Sequence, residues 1–179
     1  MAYEQFVEDG RAEEVLVAQS IVNVLGGRIE WATRREDIED HVDFWWLRPS
    51  AEHPGLYARV GVDVKGMRKL SRNDPNPSLT ITWLELRNVN GGPGSLYGKA
   101  QYIAFVRLND ILIVDRIRLL EFAERQIAGK QVVTDRPSQC YVPYQRARWD
   151  REDLTFMAYL PDIAAIAERI IPKVPDDGL

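Results

Sequence analysis

Two aspartates and one lysine carry the clearest chemical pattern in the sequence. Asp63 and Lys65, with one residue between them, lie in the segment LYARVGVDVKG, residues 56–66. Asp43 lies in the segment HVDFWW, residues 41–46. Both segments have the β-branched and aromatic composition that is typical of strands. An acid inside so apolar a segment costs free energy unless another group satisfies it. The three residues are therefore candidates for chemistry.

The alternation of side chains along a strand predicts that Asp63 and Lys65 lie on one face. Apolar residues at every second position from Ala58 to Val64 would fill the other face, against a core. Two acids from adjacent strands suit a hard divalent cation such as Mg²⁺ or Mn²⁺, which takes oxygen ligands. A lysine beside them can polarise or deprotonate an attacking water, or stabilise phosphate charge. The pattern predicts a phosphodiester-cleaving site, although Asp-x-Lys at a strand edge is more often a surface ion pair.

Periodicity and breaker residues predict the elements that position these side chains. Helices are predicted at residues 7–25, 117–128 and 162–171, and strands at 28–32, 41–46, 56–66, 79–89, 102–108, 111–115, around 141–144 and at 154–159. No repeat or linker divides the chain. We therefore expect a mixed α/β (α+β) fold in a single domain, residues 1–179. Its core would span about 7–128, with a C-terminal strand and helix in 129–179 packed on it.

The composition is that of an ordinary globular domain. The chain has 179 residues, of which 45% are hydrophobic and 28% charged, and its formal net charge is −4. No stretch approaches the roughly 20 apolar residues of a membrane span, and the first residues lack the pattern of a signal peptide. The single cysteine, Cys140, cannot form an internal disulfide, so we expect a reducing, cytoplasmic location and no membrane partner. The acidic balance argues against a surface that is basic throughout, but it leaves room for a local basic strip.

The sequence resembles the PD-(D/E)XK nuclease superfamily, which has the restriction-endonuclease-like fold. The resemblance spans residues 7–115 and is carried by Gly10-x-x-x-Glu14, by EDIEDHVDFWW with Asp43, and by VDVKG with Asp63 and Lys65. It implies a central mixed β-sheet flanked by helices and metal-dependent cleavage of DNA or RNA. By this resemblance Asp43 and Asp63 would bind Mg²⁺ or Mn²⁺, Lys65 would serve the water or the transition state, and Glu14 would be an outer acid.

Two features leave the assignment of the motifs open. Val42 stands where the family has a proline before the first aspartate. Glu85-Leu86-Arg87 in the next predicted strand has the same form as Asp63-x-Lys65, and would make Asp63 the lone acid of the preceding motif. An arginine keeps its proton and cannot act as a base. We therefore prefer Asp43, Asp63 and Lys65, with Glu85 as an additional acid.

Several basic and aromatic residues are candidates for binding nucleic acid. Lys65, Arg68, Lys69 and Arg72 lie within eight residues and could contact phosphates, although a solvated loop explains such a run equally well. Arg87, Tyr97 and Lys99 lie in or near the glycine-rich segment WLELRNVNGGPGSLYGKAQYIAF, which resembles a stretch of phage and bacterial proteins of nuclease type. Tyr97 could stack on a base or pack into the core. His41 alternates onto the face of Asp43 and is more simply a strand-edge histidine.

Two functions are consistent with these patterns. One is an Mg²⁺-dependent nuclease that acts on DNA in preference to RNA. The other is a catalytically inactive protein that keeps the nuclease fold as a binding or assembly module. The acidic net charge favours the module, and the intact set of two acids and a lysine favours the enzyme. The sequence leaves the oligomeric state open, a homodimer included.

Overall fold

The computed structural model describes residues 2–71, 73–145 and 152–174, with residues 2–10 as backbone only. The chain divides into two compact units, each built from separate stretches of sequence. The first unit comprises Met1–Gly66, Lys99–Ile113 and Glu168–Leu179, and the second comprises Met67–Gly98 and Val114–Ala167. The expectation of a single domain stays a prediction.

Nine strands and three α-helices make up the described chain. The strands are β1 (Arg28–Trp31), β2 (Phe44–Pro49), β3 (Tyr57–Lys65), β4 (Ile81–Arg87), β5 (Tyr102–Val106), β6 (Asp110–Asp115), β7 (Tyr144–Gln145), β8 (Leu154–Tyr159) and β9 (Arg169–Pro172). The helices are α1 (Ala2–Leu25), α2 (Arg116–Ile127) and α3 (Leu160–Ala165), with a π-helical turn at Glu36–Asp40 and a 3₁₀ turn at Ser95–Tyr97.

The larger sheet is mixed and has the strand order β1-β2-β3-β5-β6-β9. Strands β1, β2 and β3 form an antiparallel meander, and β5 then pairs parallel to β3, with Asp63 opposite Ile103. Strand β9 closes the far edge antiparallel to β6. The second unit holds a separate antiparallel sheet of order β4-β8-β7. The fold is thus mixed α/β with a mixed sheet, as the sequence predicted.

The core of the first unit lies between α1 and one face of the larger sheet. Val17 and Ile21 of α1 pack in a buried cluster with Phe44 of β2 and Val62 of β3. The predicted alternation is present in β3, because Val60, Val62 and Val64 all belong to this cluster. Asp63 and Lys65 consequently point to the opposite face of the sheet.

Two sequence-based expectations differ from the structure. The helix predicted at 162–171 is present only in its first part: α3 ends at Ala165, and the expectation is wrong for Arg169–Pro172, which form β9. Residues 170 and 171 are β-branched, and they pair with the free edge of β6, which offers backbone hydrogen bonds that helical spacing cannot reveal. The strand predicted around 141–144 begins only at Tyr144, because Tyr141 has a positive φ of 64°.

No helix among the described residues is long and apolar enough to cross a membrane.

Candidate functional site

Asp43 lies immediately before β2, and its side chain extends the pairing of β2 with β3. The backbone N–H of Asp43 donates to the carbonyl of Val62 at 2.9 Å. Beyond the last paired residue of β2, the Oδ2 atom of Asp43 accepts the backbone N–H of Val64 at 2.5 Å. The carboxylate therefore satisfies a backbone donor that would otherwise be left unpaired at this end of the strand.

Asp63 is buried on β3 and pairs with the lysine two residues further along. Its side chain is 5% exposed, and its Oδ1 atom accepts from Lys65 Nζ at 2.8 Å. Its Oδ2 atom is buried and has no hydrogen-bond partner among the residues that the structure describes. Lys65 keeps 28% of its side chain exposed, so its ammonium group is accessible from solvent. An orphaned carboxylate oxygen in a buried position indicates a place for a proton or a cation.

The pKa values of Asp43 and Asp63 show how burial and neighbouring charges act on the two acids. Burial first, and then the negative charge of Asp63, raise the pKa of Asp43 to about 7, against the lowering effect of the Val64 N–H and of Lys65. Burial also raises the pKa of Asp63, and the Lys65 ammonium opposes that shift. The negative charge of Asp63 thus acts on Asp43, and these two residues together are called the acid pair. Positive charge or a proton would stabilise the acid pair.

Two further acidic residues act on the acid pair, and a third lies against Gly66, just after β3. Glu14 of α1 raises the pKa of Asp43 through its charge, and its Oε2 atom also pairs with Arg11 at 2.8 Å. The carboxylate of Glu13 lies against Gly66, where an added Cβ would overlap it. Asp37, from the π-helical turn, raises the pKa of Asp63. The sequence indicated Glu14, but it held no signal for Glu13 or Asp37.

His41 connects the π-helical turn to the Asp43 strand. It has a left-handed backbone with a φ of 54°, which is uncommon for a non-glycine residue. Its positive charge lowers the pKa of Asp63, opposite in direction to the effect of burial. His41 therefore lies beside the acid pair, in a bend rather than at the strand edge that the sequence indicated.

The residues present are compatible with a Mg²⁺ or Mn²⁺ ion bound by two carboxylates. Within the described ranges, no three His, Cys, Asp or Glu side chains are arranged to hold a metal. Mg²⁺ does not require such a set, because it is usually bound through one or two carboxylates together with waters and substrate phosphates. The unpartnered Oδ2 atom of Asp63 is the observation that fits such an ion.

Glu85 and Arg87, the alternative motif, lie on β4 in the second unit. Glu85 is opposite Thr155 of β8, and the register shifts between Glu85 and Arg87. These residues are thus on a different sheet from Asp63. The alternative assignment also requires Asp43 to point away from Asp63, whereas the charge of Asp63 raises the pKa of Asp43.

The basic candidates are distributed over both units. Arg68 and Lys69 lie in the loop between β3 and β4, in the second unit, and Arg72 lies outside the described residues. Lys99 belongs to the first unit, where its Nζ atom pairs with Asp40 at 2.8 Å. Tyr97, in the second unit, is 45% exposed and donates its hydroxyl to Glu124 at 3.0 Å, so its ring is not a core residue.

The candidate site combines carboxylates that can bind a cation with a lysine that is itself positively charged. Asp43 and Asp63 together supply carboxylate oxygens, and the Lys65 ammonium lies on the same face of the sheet. Carboxylate oxygens can bind a cation, and a lysine ammonium can stabilise negative charge on a phosphate. Comparison with models of known protein families, with curated proteins and with solved structures finds no match to this chain.

Proposed function

We propose that this chain is a nuclease with a restriction-endonuclease-like core, dependent on Mg²⁺ or Mn²⁺ and acting on DNA in preference to RNA. The observation that carries the proposal is the acid pair itself. Asp63 is buried and Asp43 is half-buried, and the negative charge of Asp63 raises the pKa of Asp43. One Asp63 oxygen has no partner among the described residues, and Lys65 pairs with the other.

The order of elements supports the same proposal. A helix precedes the sheet, Asp43 lies immediately before the second strand of the meander, and Asp63 and Lys65 lie at the end of the third. Antiparallel pairing brings the start of β2 next to the end of β3, so the two motifs meet because of the topology. This order of helix, acid and acid-x-lysine is the one on which the resemblance to the PD-(D/E)XK superfamily rests.

Each residue of the site has a role in the proposed reaction. Asp43 and Asp63 would hold the cation, which when bound supplies Lewis-acid charge next to the phosphate. Lys65 Nζ lies 2.8 Å from Asp63 Oδ1, and its ammonium would stabilise the negative charge that develops on the phosphate oxygens. Glu14, which acts on Asp43 from α1, is an outer acid that orients the site.

A second candidate is an inactive nuclease-fold protein that binds or assembles with a partner. Two contacts favour it, because each acid already has one partner inside the chain: Val64 for Asp43 and Lys65 for Asp63. Among the described residues there is also no three-ligand metal group. A vestigial site of this kind would keep its hydrogen bonds but would not turn over a substrate.

A cleavage assay separates the two candidates. Purified protein is incubated with single-stranded, duplex and branched DNA and with RNA, in Mg²⁺, in Mn²⁺ and in EDTA. The nuclease proposal expects cleavage that requires the divalent cation and is faster on at least one DNA substrate than on RNA. If no substrate is cleaved in either metal, but the protein binds one of the nucleic acids stoichiometrically, the binding module is favoured instead.

A further inference from the structure

A cavity of about 330 Å³ lies in the first unit, on the core face of the larger sheet. Trp46 of β2 and Tyr102 of β5 line it, and both belong to the cluster packed against α1. Asp63 points to the opposite face of the sheet. The cavity is therefore separate from the candidate metal site.

One wall of the cavity is apolar. It is formed by the last residues of α1, Val24 and Leu25, together with Ile113 of β6 and the indole of Trp46. The indole N–H donates to the carbonyl of Gly26 at 2.9 Å, so the polar atom of the ring is already satisfied. What Trp46 can offer a ligand is the hydrocarbon part of its ring, which favours an apolar or aromatic group.

The other wall carries a short chain of hydrogen bonds. Arg48 donates from Nη1 to the Tyr102 hydroxyl at 3.4 Å, and that hydroxyl donates to Oε1 of Glu168 at 3.1 Å. The Arg48 guanidinium also lies over the Trp46 ring, 5.9 Å from its centroid. These contacts hold Arg48 at the cavity while leaving most of its five N–H donors free for a ligand.

The charge at the cavity is unbalanced toward positive. Arg48 and Arg169 both line it, and Glu168 is the single acid that does so. Neither arginine forms an ion pair with any residue of the described ranges. Glu168 accepts a hydrogen bond from the neutral Tyr102 hydroxyl, so two arginines face one carboxylate among the described residues that line the cavity.

We propose that this cavity binds a small organic anion, with its carboxylate or phosphate held by Arg48 and Arg169 and its apolar ring against Trp46. The volume is at the lower end of the range for small-molecule sites, which are mostly apolar with a few convergent polar groups. Arginine is the side chain that matches the two oxygens of such an anion in a forked geometry. This inference is independent of the proposed nuclease activity.

The two arginines have one competing role within the fold. Helix α1 has no basic residue in its last turn, and its carbonyl end carries a partial negative charge. Arg48 and Arg169 would stabilise that helix end without any ligand. Such a role affects the melting temperature of the free protein, whereas a ligand site affects the affinity for an added anion.

The test is isothermal titration calorimetry of the full chain with phenyl phosphate, benzoate and inorganic phosphate. We expect saturable 1:1 binding of at least one of the two aromatic anions, and the tighter of them identifies whether phosphate or carboxylate is preferred. Inorganic phosphate should bind about tenfold more weakly or worse, because it makes no contact with the apolar wall. Arg48→Ala and Arg169→Ala should each weaken the aromatic anion by about tenfold or more.

Arg28→Ala is the matched control, since Arg28 also lies over an aromatic ring, that of Tyr57, but does not line the cavity. The affinity of the Arg28→Ala variant for the aromatic anion should equal that of the wild type. The proposal is overturned if neither aromatic anion binds saturably, or if Arg48→Ala and Arg169→Ala lower the melting temperature but leave the affinity unchanged. Equal affinity for inorganic phosphate and phenyl phosphate would equally overturn the part assigned to Trp46.

Discussion

The Oδ2 atom of Asp43 accepts the backbone N–H of Val64 at 2.5 Å, one residue beyond Asp63. This hydrogen bond gives Asp43 two roles, because it positions one acid beside the other and also completes the pairing of β3. Substitutions that remove the charge and substitutions that remove the acceptor are therefore expected to differ.

Asp43→Asn and Asp43→Ala separate these two roles. The asparagine keeps a carbonyl oxygen for the Val64 N–H and removes the repulsion with Asp63, so stability at neutral pH should be retained or should rise. The alanine leaves a buried N–H without an acceptor and should lose about 1–3 kcal/mol of unfolding free energy. Urea unfolding of the metal-free proteins measures both. Equal stability of the two variants would mean that the hydrogen bond contributes nothing.

The stability of the metal-free protein should fall as the pH rises from about 4 to 7. The pKa of Asp43 is raised to about 7 in the folded chain, whereas an aspartate in the unfolded chain titrates near about 3.9. Between these values the folded state holds a proton that the unfolded state has released, so the unfolding free energy declines by up to about 1.4 kcal/mol per pH unit. The raised pKa of Asp63 acts in the same direction.

Urea unfolding at pH 5 and pH 7.5 checks this dependence, and Asp43→Asn is its control. The variant cannot titrate at position 43, so the difference in stability between the two pH values should shrink. A wild type that becomes more stable over this range would contradict the raised pKa of Asp43.

Substitutions of Lys65 distinguish a charge-stabilising lysine from a lysine that removes a proton. The ion pair with the buried Asp63 favours the protonated ammonium, so we expect the charge to be what matters. Lys65→Arg should then keep measurable cleavage activity, whereas Lys65→Met should lose it by about 100-fold or more. Since arginine cannot act as a base, equal loss in both variants would instead assign proton removal to Lys65. Circular dichroism verifies that both variants are folded.

The basic run after β3 should contribute to nucleic-acid binding in a salt-dependent way. If Arg68, Lys69 and Arg72 contact phosphates, replacing all three by alanine should lower the slope of log Kd against log salt by about one unit per contact. Fluorescence anisotropy with a labelled duplex, in Ca²⁺ to prevent turnover, measures the slope. Arg118, Arg125 and Lys130, on and just after α2, provide a matched triple-alanine control. A slope that the first triple leaves unchanged would assign the run to solubility.

Local sequence was sufficient for the elements whose pattern arises within the element itself. The alternation of Val60, Val62 and Val64 predicted both the strand β3 and the face on which Asp63 lies. Local sequence was insufficient for β9. Residues 162–171 have helical spacing, and only the distant edge of β6 makes Arg169–Pro172 a strand. Neither the division into two units nor the closure of the sheet by β9 has a local signal.

The candidate site likewise has some features that local sequence predicts and others that depend on distant parts of the chain. The spacing of Asp63 and Lys65 within one strand predicted that they share a face, and the antiparallel meander places the start of β2 beside the end of β3. The approach of Glu13 to Gly66 depends on how α1 lies on the sheet, which the sequence does not show. The motif indicated only the neighbouring Glu14. The use of the Asp43 carboxylate as a backbone acceptor likewise depends on where β2 stops pairing.

Binding of Mn²⁺ to the acid pair tests the central claim most directly. Calorimetric titration of the wild type with Mn²⁺ should give saturable binding, and Asp63→Asn should abolish it while the protein stays folded, because the orphaned carboxylate oxygen is replaced. Glu121→Gln, at an exposed position of α2, is the control and should bind as the wild type does. Binding that is absent from the wild type, or unchanged in Asp63→Asn, would contradict a metal site at Asp43 and Asp63.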